Sequence, residues 1–262
     1  MRQKPAIVDT EASRAARDRR RLLLAFNLSL GFVGLLLAIF ALQPRLPVAA
    51  MAVSPGEAAG LLGLLTAPLL HGSGAHLAAN ASALVILGTL AGAVYPRATL
   101  RALPLLWLGS GLGAWLLGEP GTRHLGASGV THGLMFMVVT LGLLRRDRPS
   151  IAAGMIVMLF YGGSVLAVLP HGDGISWQSH LGGALAWVLS GFLFRRVDPT
   201  APRQRYSWER EEEERTSAGD DAHELEPAPP REVPVLWQRT PEGQVRGVVV
   251  RLRPPGEQAP PE

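Results

Sequence analysis

The chain has 262 residues, of which 46 are charged and none is cysteine. The lack of cysteine excludes a disulfide framework, thiol catalysis and cysteine-ligated zinc or iron–sulfur sites. Only 11 charged residues lie between positions 22 and 194, among long apolar runs. A water-soluble domain needs a more polar surface than this, so the block is predicted to be an all-α membrane core.

Six apolar stretches are about long enough to cross a bilayer, and each is predicted to form a membrane-spanning helix. In chain order they are Leu22–Leu42, His76–Tyr95, Ala102–Gly118, Ser128–Leu144, Ile151–Leu169 and Gln178–Phe194. A signal peptide is the alternative for the first stretch. Its apolar run is longer than usual, and Pro44 and Arg45 follow before any small-residue cleavage site, which favours a retained helix.

The segment Gly56–Leu70 is apolar as well, but it is short, rich in glycine and interrupted by Pro68. Because these features do not suit a full span, the segment is predicted to be a re-entrant or interfacial element.

Arginine placement predicts the orientation of the spans. Arginines recur before the first span, after the second, after the fourth and after the sixth, whereas the alternate loops carry only Arg45 and Arg123. The protein is therefore predicted to lie in the plasma membrane with both termini in the cytoplasm. The bias toward Arg, Ala, Gly and Pro is compatible with a bacterium, where this would be the inner membrane. The basic excess is interpreted as membrane-orienting charge, and no nucleic-acid partner is expected.

Three regions are predicted: a cytoplasmic arm over residues 1–21, the membrane core over 22–196, and a cytoplasmic tail over 197–262. The tail contains 11 of the 21 prolines and the acidic run Glu209–Glu214, so it is predicted to be mostly disordered. Val233–Arg239 and Gln244–Arg253 are β-prone segments around a turn. They are interpreted either as a docking element or, preferably, as part of the disordered tail.

Polar side chains within the spans are costly and mark candidate functional sites. His76 and Asn80 share one face of the second span, Ser128 opens the fourth, and His180 lies near the start of the sixth. Given the predicted orientation, all four lie near the outer ends of three spans. Such a cluster is suited to acyl transfer.

In that chemistry, the Ser128 hydroxyl is a nucleophile that needs an adjacent base, which His180 can supply. Asn80, His76 and the backbone N–H of Ser128 are donors for an oxyanion. Small residues on the fourth and sixth spans permit the close helix approach that this requires; they are Gly129, Gly133, Gly182 and Gly183.

The sequence resembles the rhomboid family of intramembrane serine proteases over roughly residues 60–194. The matching elements are Leu-Leu-Thr-Ala-Pro-Leu-Leu-His at 64–71, His76-x-x-x-Asn80, Gly126-x-Ser128-Gly129 and His180-Leu-Gly-Gly183. The resemblance implies a six-helix rhomboid-type bundle without a cofactor or metal.

By the same resemblance, Ser128 is the catalytic nucleophile and His180 the general base and acid, with no third acidic member. His76 and Asn80 match the oxyanion-stabilising positions. Four further residues are expected to pack around these groups, namely Gly126, Gly129, His132 and Gly183. The family cleaves transmembrane helices of other proteins near the outer membrane face, admitting them past the fifth span.

The chain departs from the family pattern at three places. Leu62-Gly63 stands where Trp-Arg is frequent. His132 replaces a Tyr or Phe that packs on the catalytic histidine, so it is expected either to stack similarly or to change the protonation of the dyad. Trp187 replaces a glycine of the sixth span and is expected to face lipid or to force a wider helix contact.

The histidines and Asn80 also suit roles outside catalysis. His76 and Asn80 alone would be at least as typical of a polar pair that joins helices. His71, His124 and His171 are expected to be solvated at the membrane interface, and His71 additionally to shape the site entrance. A zinc protease would need a motif such as His-Glu-x-x-His, and an aspartyl protease would need Asp within the spans. The sequence has neither feature, which disfavours both classes of protease.

The predicted function is hydrolysis of peptide bonds in or near transmembrane segments of client membrane proteins. A non-catalytic rhomboid-like scaffold that binds transmembrane helices is the alternative, and a small-solute transporter is a distant third.

Overall fold

The computed structural model of the protein describes residues 11–170, 174–201 and 206–218. The chain divides into two compact units, Met1–Arg203 and Gln204–Glu262. The long helices of the described part of the first unit are α1 (Glu11–Leu42), α2 (Gly74–Val94), α3 (Pro96–Leu117), α4 (Ser128–Arg145), α5 (Arg148–Tyr161) and α6 (Trp177–Phe194).

The first unit is an all-α membrane bundle, as predicted. Within the described residues, five helical segments are long and apolar enough to cross a membrane: Ala12–Arg45, Gly74–Val94, Pro96–Leu117, Ser128–Arg145 and Arg148–Val168. The sixth predicted span exists as helix α6, whose first turn carries the polar residues Gln178, Ser179 and His180. That α6 crosses the membrane stays a prediction.

Three helix boundaries differ from those predicted by more than one helical turn. Helix α1 already includes Glu11, the first described residue, eleven residues before the apolar run, because Ala and Arg are strong helix formers. Helix α3 begins at Pro96, where the fixed φ of proline suits a first helical position. Helix α5 ends at Tyr161, and the chain continues as a 3₁₀ helix over Gly162–Val168.

The connection from α1 to α2 contains the predicted re-entrant or interfacial segment. It consists of single helical turns, at Gln43–Arg45, Val48–Met51, Ala58–Leu62, Gly63–Thr66 and Ala67–Leu69. These turns are joined to the bundle by the Trp107 indole, whose Nε1 donates to the carbonyl of Leu65 at 3.0 Å. None of them is long enough to cross a membrane.

Helix α6 packs between α3 and α4 through glycine. A side chain at Gly182 would overlap the backbone of Gly109 and Gly113 on α3, and one at Gly183 would overlap the carbonyl of Gly129 on α4. Backbones can approach this closely only where no Cβ intervenes. Glycines on three helices therefore fix where α6, and with it His180, stands relative to Ser128.

Trp187 corrects one expectation from the sequence, because its indole is fully buried and does not face lipid. It belongs to the core cluster that includes Val138 and Leu141. One turn further along α6, the small residue Gly191 lies against the indole, and a Cβ there would be 3.3 Å from Trp187 Nε1. Gly183 lies in close contact with Gly129, so the indole does not widen the crossing of α4 and α6.

A buried polar network closes the end of the bundle opposite to the first turns of α2, α4 and α6. The Asp198 carboxylate accepts hydrogen bonds from the backbone N–H groups of Arg97, at 3.1 Å, and Ala98, at 2.9 Å. The Arg145 guanidinium donates to the backbone carbonyl of Asp198 and lies 5.3 Å from the Tyr95 ring centre. Burial raises the pKa of Tyr95 to about 12. The segment after α6 is thereby tied to α3 and α4.

The second unit contains helix α7 (Ser207–Ala218), which includes the acidic run of the tail. The β-prone segments between residues 233 and 253 lie outside the described residues, as does His171. Predictions about them stay predictions.

Candidate active site

A cavity of about 1050 Å³ opens at the end of the bundle where α2, α4 and α6 begin. Each of these helices contributes polar side chains to its wall from its first two turns. The lining includes every catalytic or oxyanion-stabilising residue predicted from the sequence, namely His76, Asn80, Ser128 and His180, together with His132. The structure therefore brings the predicted polar cluster together in one place.

Ser128 is the first residue of α4 and is partly buried at the cavity wall. The turn before it depends on Gly126, whose φ of 119° is unfavourable for other residues. The Gly126 N–H donates to the carbonyl of Ala67 at 2.9 Å. Because Ser128 opens a helix, its hydroxyl lies where the helix dipole favours a developing negative charge.

His180 is the fourth residue of α6 and is buried, and its ring is fixed on two sides. Its Nδ1 lies 3.0 Å from the carbonyl oxygen of Ala167. A carbonyl only accepts hydrogen bonds, so Nδ1 carries the proton and the neutral ring has its lone pair on Nε2. The His132 ring stacks on the His180 ring at 3.8 Å between centroids and 12° between planes.

His132 also connects to Ser128, since its Nδ1 lies 2.8 Å from the Ser128 carbonyl oxygen. Of the two outcomes expected for His132, the structure shows the stacking on His180. The His132 ring therefore contacts His180 on α6 through its face and the backbone of its own helix, α4, through its edge.

His76 and Asn80 lie on the first turns of α2, where Ser73 caps the helix by accepting from the His76 N–H at 3.1 Å. Both side chains approach the turn before Ser128. A Cβ on Gly126 would lie 2.5 Å from His76 Cε1 and 3.7 Å from Asn80 Nδ2. Among the described residues, the buried Asn80 Nδ2 has no hydrogen-bond partner. A buried donor without a partner beside the serine is suited to receive an oxyanion.

His71 corrects a second expectation, because it is fully buried and not solvated. The Gln43 side chain holds its backbone through bonds of 2.7 and 3.0 Å, and its ring meets the His76 ring edge-on at 5.1 Å. Burial, reinforced by the nearby His76, lowers the pKa of His71 to about 4. It supports His76 from behind as a neutral ring.

His124 is half-buried, which also differs from the solvated state expected. Its Nδ1 lies 2.6 Å from the hydroxyl of Ser176, the residue that caps α6. Burial lowers the pKa of His124. This contact joins the loop before Ser128 to the start of the helix that carries His180.

Close glycine contacts surround the site. A side chain at Gly129 would overlap Ser110 on α3 and the carbonyl of Ser179 on α6. A Cβ at Gly133 would lie 2.9 Å from Leu106 and 3.2 Å from the carbonyl oxygen of Gly183. These positions, chosen from the sequence as packing positions, lie where the helices approach most closely.

Sequence reasoning did not identify Ala167 or Ser176. Ala167 acts through a backbone carbonyl, which carries no signal of residue type. Ser176 could have been found as an N-cap, since Ser precedes the apolar run of the sixth span by a few residues.

The family model described as the Rhomboid domain matches residues 58–197. Uncharacterized protein Rv1337 of Mycobacterium tuberculosis and Uncharacterized protein Mb1372 of Mycobacterium bovis are each 37% identical over 149 residues, which are 54% of this chain and 62% of the relative. Uncharacterized protein ML1171 of Mycobacterium leprae is 34% identical over 141 residues, 51% of this chain and 56% of the relative.

The alignments thus cover less than two thirds of the length of these relatives. No solved structure matches the chain significantly. The family model covers more than half of the chain, and its range includes every residue of the candidate site.

Proposed function

Because the chain belongs to the rhomboid family and is a multi-pass membrane protein, we propose that it is an intramembrane serine protease. Its substrates are peptide bonds in or near transmembrane segments of client membrane proteins. The observation that carries this proposal is the shared cavity, in which Ser128 and a buried, oriented His180 stand with two oxyanion donors. The proposal places the protein in the bacterial inner membrane, with both termini cytoplasmic.

The first half of the reaction forms an acyl-enzyme. Ser128 Oγ attacks the scissile carbonyl carbon while His180 Nε2 takes the hydroxyl proton, and the C=O bond becomes a C–O⁻ bond. The orientation of the His180 ring supports this role, since its Nδ1 proton is directed to the Ala167 carbonyl. The tetrahedral intermediate collapses as His180 gives the proton to the leaving amine.

The oxyanion forms beside the start of α4. Asn80 Nδ2, the His76 ring and the Ser128 N–H are its donors, and removal of one such donor typically costs about 10²–10³-fold in kcat. A water molecule from the cavity then attacks the acyl carbon, with His180 taking its proton. The second tetrahedral intermediate then collapses, since the bond between the acyl carbon and Ser128 Oγ breaks while His180 returns the proton to Oγ, and the acid product leaves.

Helix α5 is the proposed side of entry for client helices. Phe160, Tyr161 and Ser164, at its end and in the 3₁₀ helix that follows, line the cavity. Phe160 is 67% exposed, so its ring is only partly covered by the rest of the bundle. We propose that a client segment enters the cavity here and packs its own side chains against Phe160, Tyr161 and Ser164.

Cleavage of a reporter transmembrane segment in proteoliposomes tests the proposal. Ser128→Ala and His180→Ala are each expected to abolish cleavage, by about 10⁴-fold or more, because the two groups act as a unit. Ser82→Ala is the matched control, since Ser82 lines the same cavity but its hydroxyl bonds the Ala79 carbonyl. Normal cleavage by the Ser128→Ala protein would overturn the mechanism.

A further inference from the structure

A second cavity, of about 510 Å³, lies away from the active site on the flank of the bundle. It is a groove between α1 and α3, with residues of α2 and α4 at its base. Helix α1 is joined to α2 by small residues: a Cβ on Gly88 would meet the Ser29 hydroxyl at 2.6 Å, and one on Gly92 would meet Ala25 Cβ at 2.9 Å. Across the groove, Phe32 on α1 meets Trp107 on α3 edge-on at 6.0 Å.

The dimensions of the groove limit what it can hold. Its lining runs from Arg21 to Phe32 on α1 and from Pro96 to Trp107 on α3, which is about 16 Å of helix at about 1.5 Å per residue. A single hydrocarbon chain, whose carbon atoms pack at about 4 Å from their neighbours, can lie along an apolar groove of this length.

The two ends of the groove differ in charge. Apart from Arg21 its lining is uncharged, and most of it consists of apolar side chains such as Leu24, Leu28, Leu100 and Leu103. The exposed Arg21 lies at one end, beside Pro96 at the start of α3. An arginine at the mouth of an apolar groove matches a lipid with an anionic headgroup, because guanidinium binds phosphate through two parallel hydrogen bonds.

We propose that the groove between α1 and α3 binds one acyl chain of an anionic phospholipid, whose phosphate lies at Arg21. The acyl chain extends from the Arg21 end toward Trp107. A bound lipid fills the space between α1 and α3 that protein side chains leave open. This site is independent of the proteolytic reaction.

Native mass spectrometry of the detergent-purified full chain, incubated with equal amounts of phosphatidylglycerol and phosphatidylcholine, tests the proposal. The wild type is expected to retain one phosphatidylglycerol in preference to phosphatidylcholine. Arg21→Gln should lower that retention about fivefold, which corresponds to about 1 kcal/mol, because the paired hydrogen bonds from the guanidinium to the phosphate are lost. Arg20→Gln, next along α1 and absent from the lining, is the matched control and should leave retention unchanged.

A second variant tests the apolar part of the groove. Leu28 is 61% exposed and Leu100 is 66% exposed, so Leu28→Trp or Leu100→Trp fills the groove without disturbing the core. Each should abolish lipid retention while circular dichroism stays unchanged. The proposal is wrong if Arg21→Gln retains lipid like Arg20→Gln, or if both tryptophan variants still bind. It is also wrong if a photocrosslinker at position 28 captures a client transmembrane peptide and not phospholipid.

Discussion

His180 is held between a backbone carbonyl below its Nδ1 and the ring of His132 on its face. Both contacts orient the ring, and neither is made by a carboxylate, in contrast to a three-residue triad. His132 has two connections, the stack on His180 and the 2.8 Å contact of its Nδ1 with the Ser128 carbonyl oxygen. Substitution at this position separates their contributions.

Replacement of His132 with Phe keeps the stacked ring and removes the polar contact, whereas Ala removes both. We expect His132→Phe to retain most of the activity and His132→Ala to lower kcat by about 10²-fold, since a misplaced base costs about that much. Steady-state cleavage of the reporter by both variants checks this. Equal losses in the two variants would show that the polar contact, not the stack, positions His180.

Gly126 is the second position where a single residue determines the site. Gly126→Ala would place a Cβ 2.5 Å from the His76 ring and force a backbone φ of 119° on alanine. Gly121→Ala is the matched control, because its φ of 83° is also positive but its Cβ meets nothing within 4 Å.

Both substitutions should lower stability by about 1–3 kcal/mol through backbone strain. Only Gly126→Ala should also lower kcat, by about 10²-fold, because it displaces an oxyanion donor. Thermal unfolding and reporter cleavage separate the two effects. Equal kcat values in the two variants would contradict the placement of His76 at the oxyanion.

At the scale of elements, the crossing of α4 and α6 sets the distance between the serine and the histidine. Gly183→Ala would drive a methyl group into the carbonyl of Gly129, and such overpacking costs about 1–3 kcal/mol. The same substitution at Gly154, on α5, meets nothing closer than the Val138 carbonyl oxygen at 3.8 Å. Gly154→Ala should stabilise its helix by about 0.5–1 kcal/mol.

Measurement of the unfolding midpoint and of reporter cleavage for both variants tests this contrast. Gly183→Ala is expected to lose stability and activity together, because the helix that carries His180 must shift. Unchanged activity in Gly183→Ala would mean that the crossing does not control the dyad.

Much of the helical architecture follows from the sequence, for reasons that are local. Apolar runs of sufficient length predicted the positions of all six long helices, because a span must bury a continuous stretch of backbone in hydrocarbon. The starts of α1 and α3 were misplaced because Glu11–Arg21 and Pro96–Arg101 are polar but still helix-forming. Hydropathy predicts which residues lie in the hydrocarbon region, but it does not predict where the helix begins or ends.

The sequence predicted which residues form the site better than it predicted their contacts. Side-chain chemistry identified Ser128, His180, His76 and Asn80. The Ala167 carbonyl that orients His180, the burial of His71 and the burial of Trp187 depend on which helices meet, which one sequence does not encode locally. These features follow from tertiary packing.

At the scale of the whole molecule, the arginine distribution predicts that the active site opens to the outside and both termini lie in the cytoplasm. The chain contains no cysteine, so a single introduced cysteine reports its own position. Glu119→Cys, in the exposed loop before α4, should react with an impermeant maleimide added to intact cells. Glu211→Cys, on the exposed face of α7, should react only after permeabilisation. The reverse pattern would invert the orientation.

The most direct measurement of the central claim is labelling of the membrane-embedded protein with a fluorophosphonate probe, followed by mass spectrometry of the modified peptide. We expect one modification, on Ser128, that disappears in the His180→Ala protein while Ser82 and Ser164 in the same cavity stay unmodified. An intact protein that is unlabelled at Ser128 would contradict a serine protease and favour a rhomboid-like scaffold that binds transmembrane helices without cleaving them.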